Sequence, residues 1–503
     1  MEILSNPELI RNARAHLRPG RMLAVGGICL AISLTMAYSF WEGASSTSNE
    51  WARNLLLTAL GTQIFVLAVG GSLACLQSVS REKELNTFDY QRVTRLTPLE
   101  LAIGKLLGAP ILAYFITLCF LPLVLFAAVV GGTRPSFLVA ALAVMILGSV
   151  VLHAMSLVIS MLLPRGLSIG GALILIYFLG IGSIPDFGAI AIGRPSPFFA
   201  LDLVQLTSWT ETKLDSARLV DEFFGWKIHH FWMLMLLYTS FTAWFLAGLA
   251  RNLKRDPSTY ELYSPKQSFL FALFINFLFI GFYRWETEPP LESQGTVLAL
   301  NLVLFFGLGL ALVLNRDQAR RRLRTVSEAA TGWLAAAWPA PYLVSGVAVT
   351  GVLAALLYSS GGSKHPWNWG MVLFIIAFMA VGLSRDVLYL QWINLTRIKR
   401  PLVMGFVYLM VYYVCISILL AVTGAGPNSA WIWATFVPSG VLGLEPKAWS
   451  SNTVAWLVSF GLQAALCGIF VYLQKKKLEE MSARAPSAPA NAAGPQVSSL
   501  SSP

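Results

Sequence analysis

The residues best placed to do chemistry lie between Arg81 and Lys105, in the string REKELNTFDYQRVTRLTPLELAIGK. Basic and acidic side chains alternate through Arg81, Glu82, Lys83 and Glu84, and Asp89, Arg92 and Arg95 follow. No nucleophile motif such as GxSxG accompanies them. No histidine or cysteine stands near them at metal-ligand spacing. The chemistry on offer is therefore recognition through charge, and the chain is read as a non-enzyme without a cofactor. The plainer alternative is an ordinary solvated loop.

The segment has internal logic. Thr97-Pro98-Leu99-Glu100 spells a helix start: Thr97 caps, Pro98 takes the first helical position, and Glu100 reaches back in a capping box. A membrane span then begins afresh at Pro98. The stretch before it becomes a separate short helix lying across the membrane normal, with Leu85, Phe88 and Val93 on an apolar side and the charges opposite. Such a helix, joined stiffly to two spans, converts a push from a partner below the membrane into movement of those spans.

A second set of polar residues is isolated within apolar runs. Gln63, His153, Asn276 and Asn301 are the clearest, and polar groups inside a membrane are functional suspects by default. His153 can line a pathway or bond between helices. Asn276 and Asn301 can bond across neighbouring spans. No buried pair of acids suggests an ion-coupled carrier. Arg385-Asp386 reads as a local ion pair at a helix end.

These residues sit in a chain made mostly of membrane helix. It has 503 residues, 56% hydrophobic and only 12% charged, about half the charge of a soluble domain. Each span needs about 20 apolar residues, and lipid forces backbone hydrogen bonds to close within the span. The fold class is all-α, a polytopic helical protein. Hydropathy gives about twelve spans, near 22–40, 54–78, 101–131, 137–163, 168–184, 229–250, 267–283, 294–314, 340–359, 370–383, 401–423 and 453–474. With the N-terminus inside, about 27 Lys and Arg fall on the inner side by the positive-inside rule. Both termini are then cytoplasmic. The net charge of +11 is a topology signal beside anionic lipid, and gives no reason to invoke nucleic acid. The five cysteines all fall in spans and read as small packing residues.

The N-terminus forms an amphipathic helix capped by Asn6, with Pro7 first and Glu8 complementing the dipole. It lies in the membrane interface or packs on the protein. Leu214, Leu219, Val220, Phe223 and Phe224 have helical spacing in the long outer segment before the sixth span, which reads either as a partly re-entrant or interfacial helix or as a simple solvated loop. The chain divides into a first half, 1–260, a second six-helix half, 261–480, and a tail, 481–503, whose Ala, Pro and Ser content predicts disorder. Two internal alignments, of 81–105 with 316–339 or with 385–401, conflict, so any duplication is degenerate or absent.

The segment at 81–105 resembles the cytoplasmic loop between the second and third spans of ABC-2 type transporter permeases. Arg81, Glu82, Lys83 and Glu84 match that family's charged cluster, and Thr87-Phe88 its Thr-Leu pair. Thr94, Leu96, Thr97, Glu100, Gly104 and Lys105 match the remainder. Asn86 replaces the usual Gly and Arg95 the usual Pro. The likeness extends more loosely over the first six spans. It implies the membrane subunit of an exporter in a bacterial plasma membrane, with Arg81, Glu82, Glu84, Thr87, Phe88, Arg92, Thr97 and Glu100 coupling to an ATPase. No Walker A pattern is present, so that ATPase is a separate subunit; one chain serves two ATPases if both halves are permease-like, and a homodimer or second permease is needed if only the first half is. The competing classes are a non-transporting component of a signalling or secretion complex, and a membrane-embedded carrier or enzyme.

Overall fold

The computed structural model describes residues 6–42, 49–85, 87–88, 95–162, 197–208, 220–255, 260–282, 290–325, 332–360, 369–422 and 446–483. Span 168–184, Arg92 and the chain beyond Ala483 lie outside the described residues. Contacts divide the chain into two compact units, Met1–Gln267 with Gly281–Glu288, and Ser268–Ile280 with Pro289–Pro503.

In the first unit, α1 (Pro7–His16) leads into α2 (Pro19–Glu42). Next come α3 (Glu50–Phe65), a π-helical turn (Val66–Gly70) and α4 (Gly71–Glu84), forming one continuous rod. α5 (Pro98–Gly108), α6 (Ile111–Val130), α7 (Pro135–Leu162) and α8 (Phe199–Ser208) follow. A hairpin of β1 (Val220–Phe223) and β2 (Trp226–His229) then precedes α9 (His230–Leu253). The second unit holds most of α10 (Pro265–Gly281), then α11 (Pro290–Leu312), α12 (Arg316–Thr325) and α13 (Gly332–Ala336). It closes with α14 (Ala340–Ser360), α15 (Trp369–Asn394), α16 (Pro401–Val422) and α17 (Pro446–Ala483).

Proline punctuates these elements. Eight described helices begin on one, where the missing N–H costs nothing and the fixed φ suits the first turn.

Eight described helices are long and apolar enough to cross a membrane, and three more are apolar but shorter. The chain is thus a helical membrane protein. Leu23 at 78% and Val129 at 81% exposure are apolar surface of the kind that lipid covers.

Four sequence expectations are corrected. Arg81–Glu84 are not part of a separate helix; they are the last turn of α4. The span expected at 101–131 is broken between Gly108 and Ile111, because Pro110 has no N–H to continue the ladder. The span expected to stop at 383 runs on to Asn394, carrying Arg385 and Asp386 inside it. Val220 and Phe223, expected on an outer helix or in a solvated loop, lie in a strand paired with Trp226–His229. Phe224 and Gly225 take φ of 53° and 77°, so the two-residue turn has the primed geometry that matches strand twist.

The first unit's core runs along the facing sides of α3, α6 and α7, through Leu56, Leu60, Val124, Ala127, Ala141 and Met145. A second cluster at the end of α4 joins Cys75, Val79, Phe88, Leu101, Leu106 and Leu157. This cluster supports the candidate site. The core of the second unit is aromatic, with Phe305, Phe378 and Trp456 wholly enclosed.

Candidate functional site

The segment singled out from sequence is built into a charge cluster that joins three stretches of chain. Asn6 caps α1, its Oδ1 accepting from Glu8 N at 3.0 Å, while its Nδ2 donates to Glu100 O at 2.8 Å. The first turn of α1 is therefore pinned to the first turn of α5. Gly104 and Gly108 make room for it. A Cβ at Gly104 would lie 2.6 Å from Asn6 Oδ1, and one at Gly108 would lie 2.9 Å from Asn12 Nδ2. The pair forms a small-xxx-small stripe, which lets two backbones approach closely. α1 is thus packed on the protein, with Glu8 buried beneath it.

Between the two glycines, Lys105 reaches into the same seam and is wholly buried. Its Nζ lies 2.5 Å from Glu82 Oε2 and 3.3 Å from Glu8 Oε1. Arg11 completes the set from its half-exposed position, its Nη2 2.6 Å from Glu8 Oε1 and 2.7 Å from Glu82 Oε1. Two acids and two bases balance. Burying Lys105 without its acids would cost several kcal/mol, and the paired geometry offsets that penalty. α1, the end of α4 and the start of α5 are locked by one network.

Neighbouring contacts extend the lock. Lys83 Nζ donates to the carbonyls of Met161 at 2.5 Å and Ser160 at 3.3 Å. A cation there satisfies the last carbonyls of α7 and complements its dipole. Ser160 Oγ donates to Leu76 O at 2.6 Å and meets Ser80 N at 3.1 Å, so α4 and α7 are tied as well. At the start of α5 the predicted capping box is present, with Thr97 N to Glu100 Oε2 at 2.8 Å and Glu100 N to Thr97 Oγ1 at 3.2 Å. The bond from the Thr97 backbone, then that from its hydroxyl, holds the Glu100 carboxyl below the usual carboxylate range.

The expected coupling residues separate into two groups. Glu82 is only 12% exposed and is spent on the internal network. Phe88 is buried in the cluster beneath α4. Arg81, Glu84, Thr87 and Thr97 are exposed, and Leu85 and Leu99 add apolar surface beside them at 62% and 49% exposure. Sequence reasoning did not pair Glu8, Arg11 and Lys105 with Glu82. The available signal was Gly104-Lys105: a lysine between two helix-facing glycines has to find an acid.

The isolated polar residues bond between helices. His153 is wholly buried. Its Nε2 lies 2.8 Å from Leu67 O in the π turn, and its Nδ1 lies 3.2 Å from Tyr114 Oη. A carbonyl only accepts, so Nε2 carries the proton and Nδ1 accepts from the tyrosine. Gln63 Nε2 donates to Thr117 O at 2.9 Å. In the second unit Asn276 Nδ2 donates to Asn301 Oδ1, which also accepts from Thr350 Oγ1 at 2.8 Å. Each arrangement stitches spans together. Among the described residues, no three His, Cys, Asp or Glu gather as a metal site. Comparison with known proteins gives no matching family, no matching curated protein and no matching solved structure.

Proposed function

We propose that this chain is the membrane subunit of a transporter of the ABC-2 type, driven by a separate cytoplasmic ATPase that docks around Arg81, Glu84, Thr87 and Thr97. The observation that carries this reading is the Glu8–Arg11–Glu82–Lys105 network. A docking surface can move spans only if force does not dissipate in a loose loop. Here the exposed residues stand on a segment fastened to α1, α4 and α5 together, so displacement at Glu84 is transmitted to three elements. The exposed set combines both charge signs with Leu85 and Leu99, a composition suited to a polar rim around an apolar contact. Glu82 and Phe88 act as internal supports in this scheme, and the ATPase touches neither. The membrane is a bacterial plasma membrane, and the direction of transport is export.

The test uses tagged full-length chain purified from its host membrane and labelled with a photoreactive ATP analogue. The wild type is expected to bring down a labelled partner. The double reversal Arg81→Glu with Glu84→Lys is expected to lose it while membrane insertion is unchanged. A labelled partner retained equally by both, or none with the wild type, would sink the proposal.

A further inference from the structure

The second unit contains a cavity of 290 Å3 between α15, α16 and α17, lined by Tyr389, Tyr408, Tyr412 and Phe470, with Arg385 and Asp386 at its polar end. Nothing in the transport reading uses it. Its volume lies near the lower limit for small-molecule sites, which run from about 300 to 1,000 Å3.

The charges at the polar end are closed on each other. Arg385 Nε and Nη2 both donate to Asp386 Oδ1, at 2.8 and 2.6 Å. Its Nη1 donates to Gln463 Oε1 at 2.8 Å and its Nη2 to Tyr413 Oη at 2.8 Å. Tyr413 in turn donates to Asp386 Oδ2. A cationic ligand would have to draw Asp386 off Arg385, and an anionic one would have to draw Arg385 off Asp386. Either leaves a buried charge uncompensated, which is strongly unfavourable. The polar end therefore favours a ligand without net charge.

The walls define its shape. Four aromatic rings surround the space, and Tyr389 and Phe470 meet edge to face at 5.6 Å between centroids. Such faces receive a flat ring. Tyr389 and Tyr408 both line the cavity, and their hydroxyls offer two O–H donors to an acceptor oxygen. The approach is apolar: Val407 and Val411 on α16, and Leu462 and Ile469 on α17, are all about half exposed on helices of membrane-spanning length. A ligand reaching Tyr408 across that surface arrives through hydrocarbon.

We propose that this cavity binds the ring of a neutral, lipid-soluble amphiphile of the quinone or phenol class, its oxygens accepting from Tyr389 and Tyr408 and its tail lying along α16 and α17. The test is equilibrium retention of a radiolabelled decyl-benzoquinone by the full-length protein in phosphatidylcholine nanodiscs, with empty nanodiscs subtracted. Decyltrimethylammonium and decyl sulfate, each radiolabelled, serve as charged analogues of equal chain length. Saturable quinone binding is expected, with the charged analogues at least about tenfold weaker. Tyr408→Phe removes one donor at an exposed position and is expected to weaken binding about threefold to tenfold, the worth of one hydrogen bond. Leu409→Phe fills the cavity and is expected to abolish binding. Linear uptake, equal binding by wild type and Tyr408→Phe, or tighter binding of a charged analogue overturns the proposal. No outcome depends on an ATPase, so this site stands or falls separately from the transport reading.

Discussion

Each unit buries an arginine or lysine against acids, but the two do so in opposite ways. The Lys105 network gathers its members from residues 8, 11, 82 and 105, on three separate helices. The Arg385 network draws its acid from the next residue in the same helix. The Arg385 charge closes within one helix and takes only neutral partners, Gln463 and Tyr413, from α17 and α16, with a cavity beside it. A network shared among three helices has no meaning until they meet. The first unit uses charge to assemble a block, and the second uses it to floor a pocket.

The contrast can be broken at Lys105. Lys105→Met strips the buried Glu8 and Glu82 of their enclosed cation. Thermal unfolding in detergent is expected to show a loss of about 3–5 kcal/mol, as for removal of one member of a buried pair. Adding Glu8→Gln and Glu82→Gln to Lys105→Met is expected to recover part of the loss. A single variant as stable as wild type would mean that the network is not structural.

The corresponding change in the second unit sharpens the comparison. Arg385→Met alone is expected to destabilise strongly, yet Arg385→Met with Asp386→Leu, Gln463→Leu and Tyr413→Phe, which also removes the neutral partners, is expected to fall within about 1.5 kcal/mol of wild type, because apolar replacement of a whole buried network is often close to neutral. The local pair should be removable as a unit; the distributed network should not, because its loss also unfastens α1. Comparable residual destabilisation in the fully neutralised forms of both would erase the distinction.

The smallest effect concerns the helix start at Pro98. Thr97→Ala is expected to cost about 1 kcal/mol, a typical N-cap value. The capped Glu100 carboxyl is held below its ordinary range, so its contribution is complete above the unfolded-state pKa of about 4.3. It fades as pH falls through the lower folded value. Glu100→Gln, which has no carboxylate to protonate, should therefore narrow its gap to wild type in acid. A gap that widens below pH 4 would contradict the capping geometry.

Local rules carried a good deal of this without coordinates. The caps at Asn6 and Thr97 depend on a few consecutive residues, and both are present. The apolar runs marked most helices for the same reason. The span ending expected at 383 failed because charge was taken as a boundary signal, whereas Gln463 and Tyr413 come from distant segments to satisfy Arg385 and Asp386. The helix or loop expected around Val220 failed because apolar spacing over a few residues does not exclude a strand, and the Phe224-Gly225 turn settles the matter.

Composition and hydropathy alone determined that this chain is a helical membrane protein, since about 20 apolar residues in a row have one stable arrangement in lipid. They also determined where helices begin, because a proline or a capping side chain acts on its own backbone. Only the tertiary structure decided that Glu82 faces inward to Lys105, that Phe88 is enclosed, and that four aromatic rings meet around a cavity. Those outcomes depend on which helices touch, and contact between residues nearly a hundred positions apart leaves no periodic trace in the sequence.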